Sequence, residues 1–317
     1  MIVVGGENLI DLIEETSSSG NPVYRANPGG SPYNCAKTLG RLGANVGYLT
    51  PISADRLGDL LAEELKGVGV KLLSARIPEP TSLAVVSVGP DGQPSYAFHR
   101  SGTAERKVSS DALQAAQPEK TEAFQLGSLS ITGGEDAEVW TEFFIQCKRS
   151  GVFTSLDPNV RPAFIPNRAE YLDRLDRLLA HTDLLKLSDE DLEWIFPNQA
   201  PEAAARKLLE RSSAGLAVVT LGSEGAFALK PTGDQARTPA GTLKSIRDTV
   251  GAGDVFMGGL LAKLSEQDAL DATSMANLSV RDLETPLRFA SQAAALNCER
   301  SGCSPPTRAQ LQANTLS

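Results

Sequence analysis

The segment Asp248-Thr249-Val250-Gly251-Ala252-Gly253-Asp254 runs directly into the apolar stretch VFMGGLLAKL. Small residues at 251 to 253 let the backbone turn tightly. A helix that begins at once presents successive amide N–H groups as a positive concavity suited to a phosphate oxygen. A carboxylate at Asp254 inside such an anion-binding turn is electrostatically costly unless it has a task. The task that fits is accepting a proton from a hydroxyl as it attacks a phosphorus atom. A plain helix-capping aspartate after a glycine-rich turn looks the same in sequence, so this segment alone leaves both readings open. It is not a P-loop, because GxxxxGK[ST] is absent.

A second segment, Asn27-Pro28-Gly29-Gly30-Ser31-Pro32-Tyr33-Asn34-Cys35-Ala36, opens an amphipathic helix that ends near Gly43. Its paired glycines let a bulky polyol lie against the backbone, and Asn34 offers both a donor and an acceptor to a hydroxyl. By itself it is also an ordinary Gly-Pro turn. Glu7 and Asp11 follow the first apolar run. Asp11 either holds sugar hydroxyls through charge-assisted hydrogen bonds or faces solvent.

The elements that must position these residues alternate. Ile2 to Val4, Val46 to Leu49, Phe124 to Leu126, Val152 to Leu156, Leu184 to Leu187 and Leu216 to Leu221 read as strands. Between them Cys35 to Leu42, Leu57 to Val68, Ala137 to Ser150, Glu202 to Ser212 and Val255 to Leu264 have helical spacing. That rhythm predicts right-handed crossovers and a doubly wound, mostly parallel α/β sheet flanked by helices. Thr81 to Arg100 breaks it. LAVVSV and SYAFHR read as two strands joined at Gly89-Pro90-Asp91-Gly92, with Tyr96 and Phe98 on one face. Leu12 to Tyr24, with SSSGNP as its turn, is a second flap, so segments 12–24 and 81–100 are expected to form a small β lid on a single domain spanning 1–317.

Taken together, these residues resemble the pfkB/ribokinase family of carbohydrate kinases, which includes ribokinase, fructokinase and adenosine kinase. The resemblance rests on GGSPYNCA at Gly29 to Ala36 and DTVGAGD at Asp248 to Asp254, and it runs over nearly the whole chain, as far as SGCSPP. It implies the ribokinase-like fold and transfer of a phosphoryl group from ATP to a sugar. Asp254 resembles the family's catalytic base, with the amides of Gly251, Ala252 and Gly253 as the anion hole for the transferring group. Asp11, Gly29, Gly30 and Asn34 match sugar-holding positions, and Phe98 and Arg100 at the end of the lid are counted with them. In Asp157-Pro158-Asn159-Val160-Arg161 the DxNxR pattern is similar to fructokinases and ketodeoxygluconate kinases, where Arg161 would clamp substrate or phosphate. A surface ion pair is the bland reading of Arg161.

On the nucleotide side, Thr220-Leu221-Gly222-Ser223-Glu224-Gly225 looks like the family's TxGxxG loop, which brings Thr220, Gly222 and Gly225 to ATP. Lys186 and Ser188 are counted with it, and Ser291 stands where relatives often place an Asn near adenine. Asp248 and the backbone at Val250, with the loop from Asn297 to Gly302, resemble a monovalent-cation site suited to K⁺. One departure from the family stands out. Relatives carry NxxE after a strand, where the Glu organises Mg²⁺ through water; here Ser188 and Asp191 occupy those positions. Asp191 keeps the carboxylate one methylene shorter, and few protein ligands are needed for Mg²⁺ delivered with ATP. GENLIDLIE, YAFHRSGTAER, GSLSI and DPNVRP resemble fructokinases most, so phosphorylation of D-fructose at its 6-hydroxyl is the expected reaction. Ketodeoxygluconate, ribose or tagatose are the alternative acceptors.

Composition excludes other classes. The 317 residues are 41% hydrophobic and 22% charged, with 30 Lys and Arg against 39 Asp and Glu, for a formal charge of −9. A chain of this kind is not disordered and lacks the basic balance that nucleic-acid phosphates demand. No apolar run approaches the roughly 20 residues that span a bilayer. The start lacks a basic n-region, and a cytoplasmic protein without membrane or nucleic-acid partners is expected. Cys35, Cys147, Cys298 and Cys303 show no CxxC pair, so idle thiols are expected over a Cys298–Cys303 disulfide. With only His99 and His181, a multi-histidine metal site is disfavoured. Two rivals are weaker. A dinucleotide-dependent oxidoreductase would want GxGxxG after the first strand, which Gly5-Gly6-Glu7-Asn8 does not supply. A sugar sensor on this fold would have no use for a base at the phosphate. Apolar lid residues such as Tyr96 and Phe98 are expected to pair two copies as a homodimer.

Overall fold

Short apolar runs become strands here because successive side chains point to opposite sides of a sheet covered on both faces. The computed structural model describes residues 1–16, 21–88 and 94–315. Its strands are β1 (Ile2–Val4), β2 (Leu9–Thr16), β3 (Pro22–Gly29), β4 (Val46–Tyr48), β5 (Lys71–Leu72), β6 (Leu83–Val88) and β7 (Pro94–His99). They continue with β8 (Ala123–Gly127), β9 (Phe153–Asp157), β10 (Leu184–Ser188), β11 (Leu216–Thr220), β12 (Ala226–Leu229) and β13 (Gln235–Thr238). The α-helices are α1 (Ser31–Arg41), α2 (Arg56–Gly67), α3 (Ser110–Ala116), α4 (Glu135–Arg149), α5 (Arg168–Leu179) and α6 (Asp189–Ile195). They end with α7 (Pro201–Glu210), α8 (Ala252–Glu266), α9 (Ala272–Asn277), α10 (Val280–Cys298) and α11 (Arg308–Thr315).

Nine strands form the main sheet in the order β13-β12-β11-β10-β9-β8-β1-β4-β5. Pairing is parallel from β5 across to β11 and antiparallel at β12 and β13. The alternation separates two cores. Ile2, Val4, Leu184 and Val218 pack on the side of α1, α2, α8 and α10. Val3, Leu185, Leu187, Ala217 and Val219 pack on the side of α4, α5, α6 and α7. Burying each such side chain contributes about 1.5–3 kcal/mol, so the sheet is the rigid base from which loops project. The sequence did not signal the β12–β13 hairpin that closes one edge.

α8 is apolar nearly all round because it lies between α1 and α10. A Cβ at Gly258 would stand 2.6 Å from Cβ of Thr38, so glycine is what lets α1 and α8 approach this closely. That approach brings Asn34 of α1 against the first turn of α8. Both helices start earlier than their apolar spacing suggested: α1 at Ser31 rather than Cys35, and α8 at Ala252 rather than Val255. Consequently Asp254 lies inside the first turn of its helix.

The two lid segments are one four-stranded sheet, β3-β2-β6-β7, with β2 and β6 parallel. Its first hairpin is longer than 12–24, running from Leu9 to Gly29, which makes Asp11 and Gly29 lid residues. In register, Asn27, Asp11, Ala84 and Phe98 form one cross-strand row. Leu9, Ala84 and Leu129 cluster with Phe98 and Phe164, so this face is turned to the main sheet. The Gly89-Pro90-Asp91-Gly92 turn and Ser17 to Gly20 lie outside the described residues, as does the side chain of Tyr96.

Candidate active site

Asp254 collects both sequence signatures. The residue is 8% exposed; Oδ1 accepts the Ser31 hydroxyl at 2.7 Å and Oδ2 accepts the Asn34 side-chain amide at 2.8 Å. Burial pushes its pKa above the ordinary aspartate value, against the lowering effect of the Asn34 and Ser31 hydrogen bonds and of the Lys186 and Arg161 charges. Such a group is a stronger proton acceptor than a solvated carboxylate.

The turn before it is built by Gly251, whose φ of 74° is left-handed and whose carbonyl accepts Val255 N–H at 2.8 Å. Ala252 N–H leans on the Thr249 carbonyl at 3.2 Å. Helix geometry leaves the other first-turn amides, at Gly253 and Asp254, without an i−4 carbonyl partner, and no side chain caps this helix start. Lys186 adds a full charge. Its Nζ lies 3.1 Å from where a Cβ on Gly253 would be and 3.0 Å from Asp157 Oδ2. The two side chains are 3% and 4% exposed. Burial raises Asp157 to about 6, with Asp191 and Asp254 adding to the rise and Lys186 opposing it. Burial would lower Lys186, but Asp157, Asp191 and Asp254 raise it on balance, so the pair is ionised at neutral pH. Asp157 Oδ1 is buried without a partner.

Sequence reasoning named Lys186 but missed its ion pair. The signal was present: a lysine within LLKLS and an aspartate ending TSLD, each inside an apolar strand, require a buried partner. Ser31 was missed as a contact of Asp254, and nothing in its spacing announces it.

On the lid side, burial alone raises Asp11 to about 6. Gly29 lies against it, with Asp11 Oδ2 2.5 Å from the position of a Cβ on Gly29. Gly30 caps α1. Glu7 is buried under this turn; burial lifts its pKa to about 7, partly offset by the Arg100 charge and the Ser31 N–H, which Oε1 accepts at 3.0 Å. Phe98 meets Phe164 edge-on at 4.3 Å. Arg100 is held by Glu105 through two hydrogen bonds, 2.8 and 3.1 Å. Phe98, Arg100, Arg106 and Phe164 line a cavity of about 490 Å³. Arg161 is exposed and donates to the carbonyls of Asn159 and Val160, so its guanidinium does not touch Asp254, though its charge reaches it.

These groups sit where an open α/β sheet binds ligands, beyond the carboxyl ends of its strands. The sequence profile of the pfkB family of carbohydrate kinases matches residues 1–310. The chain belongs to that family. It is an enzyme, a sugar kinase. It is similar to a fructokinase of Rhizobium leguminosarum bv. trifolii, 34% identical over 284 residues, which are 89% of this chain and 85% of that protein. Among solved structures it is similar to a Xylella fastidiosa fructokinase with bound ATP, with TM-score 0.89, 28% identity and coverage of 98% and 97% of the two chains. A Vibrio cholerae O395 fructokinase in a fructose-, ADP- and potassium-bound form gives TM-score 0.82 at 25% identity over 98% and 97%.

In this kinase Ser188 and Thr220 are cross-strand partners at the ends of β10 and β11. Gly222 and Gly225 turn the following loop back, with φ of 55° and 92°. Ser291 is buried in α10, where its carbonyl would lie 2.5 Å from a Cβ on Gly241. Asp191 works with Ser188 as a capping box for α6. Its Oδ2 accepts Ser188 N–H at 2.8 Å and its Oδ1 accepts Val160 N–H at 2.6 Å. The shortened carboxylate therefore folds back to join the start of α6 to the segment after β9. Among the described residues no three His, Cys, Asp or Glu side chains cluster as a metal site.

The loop at Asp248 is tied to the chain around Asn297. Asp248 accepts Val250 N–H at 3.0 Å and Gly302 N–H at 2.7 Å, while Asn297 donates to the Val250 carbonyl at 2.9 Å. All four cysteines are free. Among the described residues no helix is long and apolar enough to cross a membrane.

Proposed function

We propose that this kinase transfers the γ-phosphoryl group of ATP to the 6-hydroxyl of D-fructose. The observation that carries the reading is Asp254, a buried carboxylate in the first turn of α8, beside free helix-start amides and the Lys186 ammonium. The sugar lies between the lid row containing Asp11 and the turn at Gly29, Gly30 and Asn34. Asp254 takes the proton from the attacking hydroxyl. The Gly251–Gly253 backbone and Lys186 neutralise charge on the transferring group. Arg161 swings from its own carbonyls onto substrate or phosphate, and the Ser188, Thr220, Gly222 and Gly225 edge takes the nucleotide, with Ser291 beside the base. Closure of the lid excludes water.

A neutral sugar is favoured over a sugar acid because the two arginines lining the cavity are already neutralised, Arg100 by Glu105 and Arg106 by Asp136. The names of the similar proteins agree with a ketose.

Mg²⁺ bound with ATP would supply charge neutralisation at the β- and γ-phosphates. The unpartnered Oδ1 of Asp157 fits a water of that ion, and Asp191, with one lone pair left on each oxygen, fits a second. K⁺ would be held by Asp248, the Val250 carbonyl and the 297–302 loop, all oxygen donors. The lid edge strand β3 exposes Val23 and Tyr24 at 45% and 48%, which suits pairing of two copies through the lid. ADP release with ATP and Mg²⁺ over fructose, ribose, ketodeoxygluconate, tagatose, glucose and adenosine tests the assignment. Turnover on fructose above the others supports it, and turnover confined to another acceptor replaces it.

A further inference from the structure

The reaction just described leaves Ser31 without a task, yet its hydroxyl is hydrogen-bonded directly to the Asp254 carboxylate. Oγ donates to Asp254 Oδ1 at 2.7 Å, and so takes up a carboxylate oxygen that could otherwise receive a proton. The serine is held there from behind. Its N–H donates to Glu7 Oε1 at 3.0 Å, Glu7 is 1% exposed, and Pro32 follows within the first turn of α1. With Asn34 on Oδ2, both oxygens of the carboxylate carry a donor.

A kinase with a base poised beside its phosphate subsite has one competitor always present. Water could donate to Oδ1, attack the γ-phosphorus, release ADP from the broken β,γ-bridge and leave its proton on Asp254. We propose that Ser31 masks Asp254 against that reaction: its hydroxyl keeps the acceptor's place on Oδ1 until a sugar hydroxyl displaces it. The inference rests on the sugar-kinase reading of the site. Ser31 is thus a positioning residue that acts through Asp254, and Glu7 sets its backbone.

The test is ADP release without any sugar. Ser31→Ala opens Oδ1 to water and is expected to raise the sugar-free rate at least about tenfold, a modest share of what general-base catalysis supplies. Ser31→Thr restores a hydroxyl and keeps the rate near that of the unaltered protein. Asp254→Asn in the Ser31→Ala background returns it to the low level, because the water then has no base. A merely structural serine would move the melting temperature but not the sugar-free rate. An unchanged sugar-free rate in Ser31→Ala overturns the mask, as does phosphate found on Ser31 of the unaltered protein after incubation with ATP, since the serine is then an acceptor. The mask is read without sugar and the sugar-kinase assignment with sugar, so each fails separately.

Discussion

Asn34 and Asp254 are 220 residues apart in the chain and share a hydrogen bond of 2.8 Å. The bond exists because α1 and α8 pack face to face through Gly258, so each signature segment completes the other. Asn34 stabilises the charged carboxylate more than the protonated form, so it opposes the rise that burial imposes on Asp254.

Removing that donor therefore has a signed effect on pH dependence. Asp254 must be ionised to accept a proton, so activity falls as pH drops through its pKa. Asn34→Ala takes away a hydrogen bond to the ionised form and moves the acid limb of kcat/KM to higher pH by about 1–2 units, the equivalent of one hydrogen bond to a charged group. A pH–rate profile measures it, and an acid limb that stays in place contradicts the role given to Asn34.

Lys186 and Asp157 form a pair in which neither partner tolerates loss of the other. Lys186→Met leaves a buried uncompensated carboxylate and should destabilise the fold by about 3–5 kcal/mol. Adding Asp157→Asn should recover most of the melting temperature, because the carboxylate that Lys186 directly paired is then neutral. Activity should not recover, because the ammonium beside the anion turn is still missing. Calorimetry and ADP release on the three variants separate the two contributions.

Glu7 makes stability depend on pH. Its folded pKa of about 7 lies above the ordinary 4.5, so the native state binds more protons than the unfolded state between these values. Stability from this group is full below pH 4.5 and falls as pH rises through 7. The loss amounts to roughly 3 kcal/mol. Glu7→Gln should flatten the melting temperature across that window, and an unaltered slope would contradict it.

The Gly258 contact is a packing prediction. Gly258→Ala puts a methyl 2.6 Å from Cβ of Thr38, between α1 and α8. The cost expected for overpacking is about 1–3 kcal/mol. Because the same shift separates Asn34 from Asp254, kcat should fall further than the lost stability explains. Thermal melts and turnover at a temperature where the variant is folded check this.

Much of this architecture was legible in the sequence. Apolar runs such as Ile2 to Val4 and Leu184 to Leu187 mark strands because both sheet faces are covered, and Gly251-Ala252-Gly253 ahead of VFMGGLL marks a helix start. The lid was seen in part. Charged Glu14 and Glu15 blur the alternation of β2, so its start at Leu9 and the end of β3 at Gly29 were not seen. α10 was hidden because Pro286 reads as a helix breaker, although it sits within the helix. The Ser31 contact was illegible for another reason: it depends on how closely two helices approach, which no local spacing encodes.

Asp254→Asn tests the central claim most directly. The substitution keeps the shape and a donor–acceptor group between Ser31 and Asn34 while removing the proton acceptor. Sugar-dependent turnover should fall by about 10³-fold, the middle of the range a positioned base contributes, with sugar affinity within a few-fold. Turnover within tenfold of the unaltered protein would contradict Asp254 as the base.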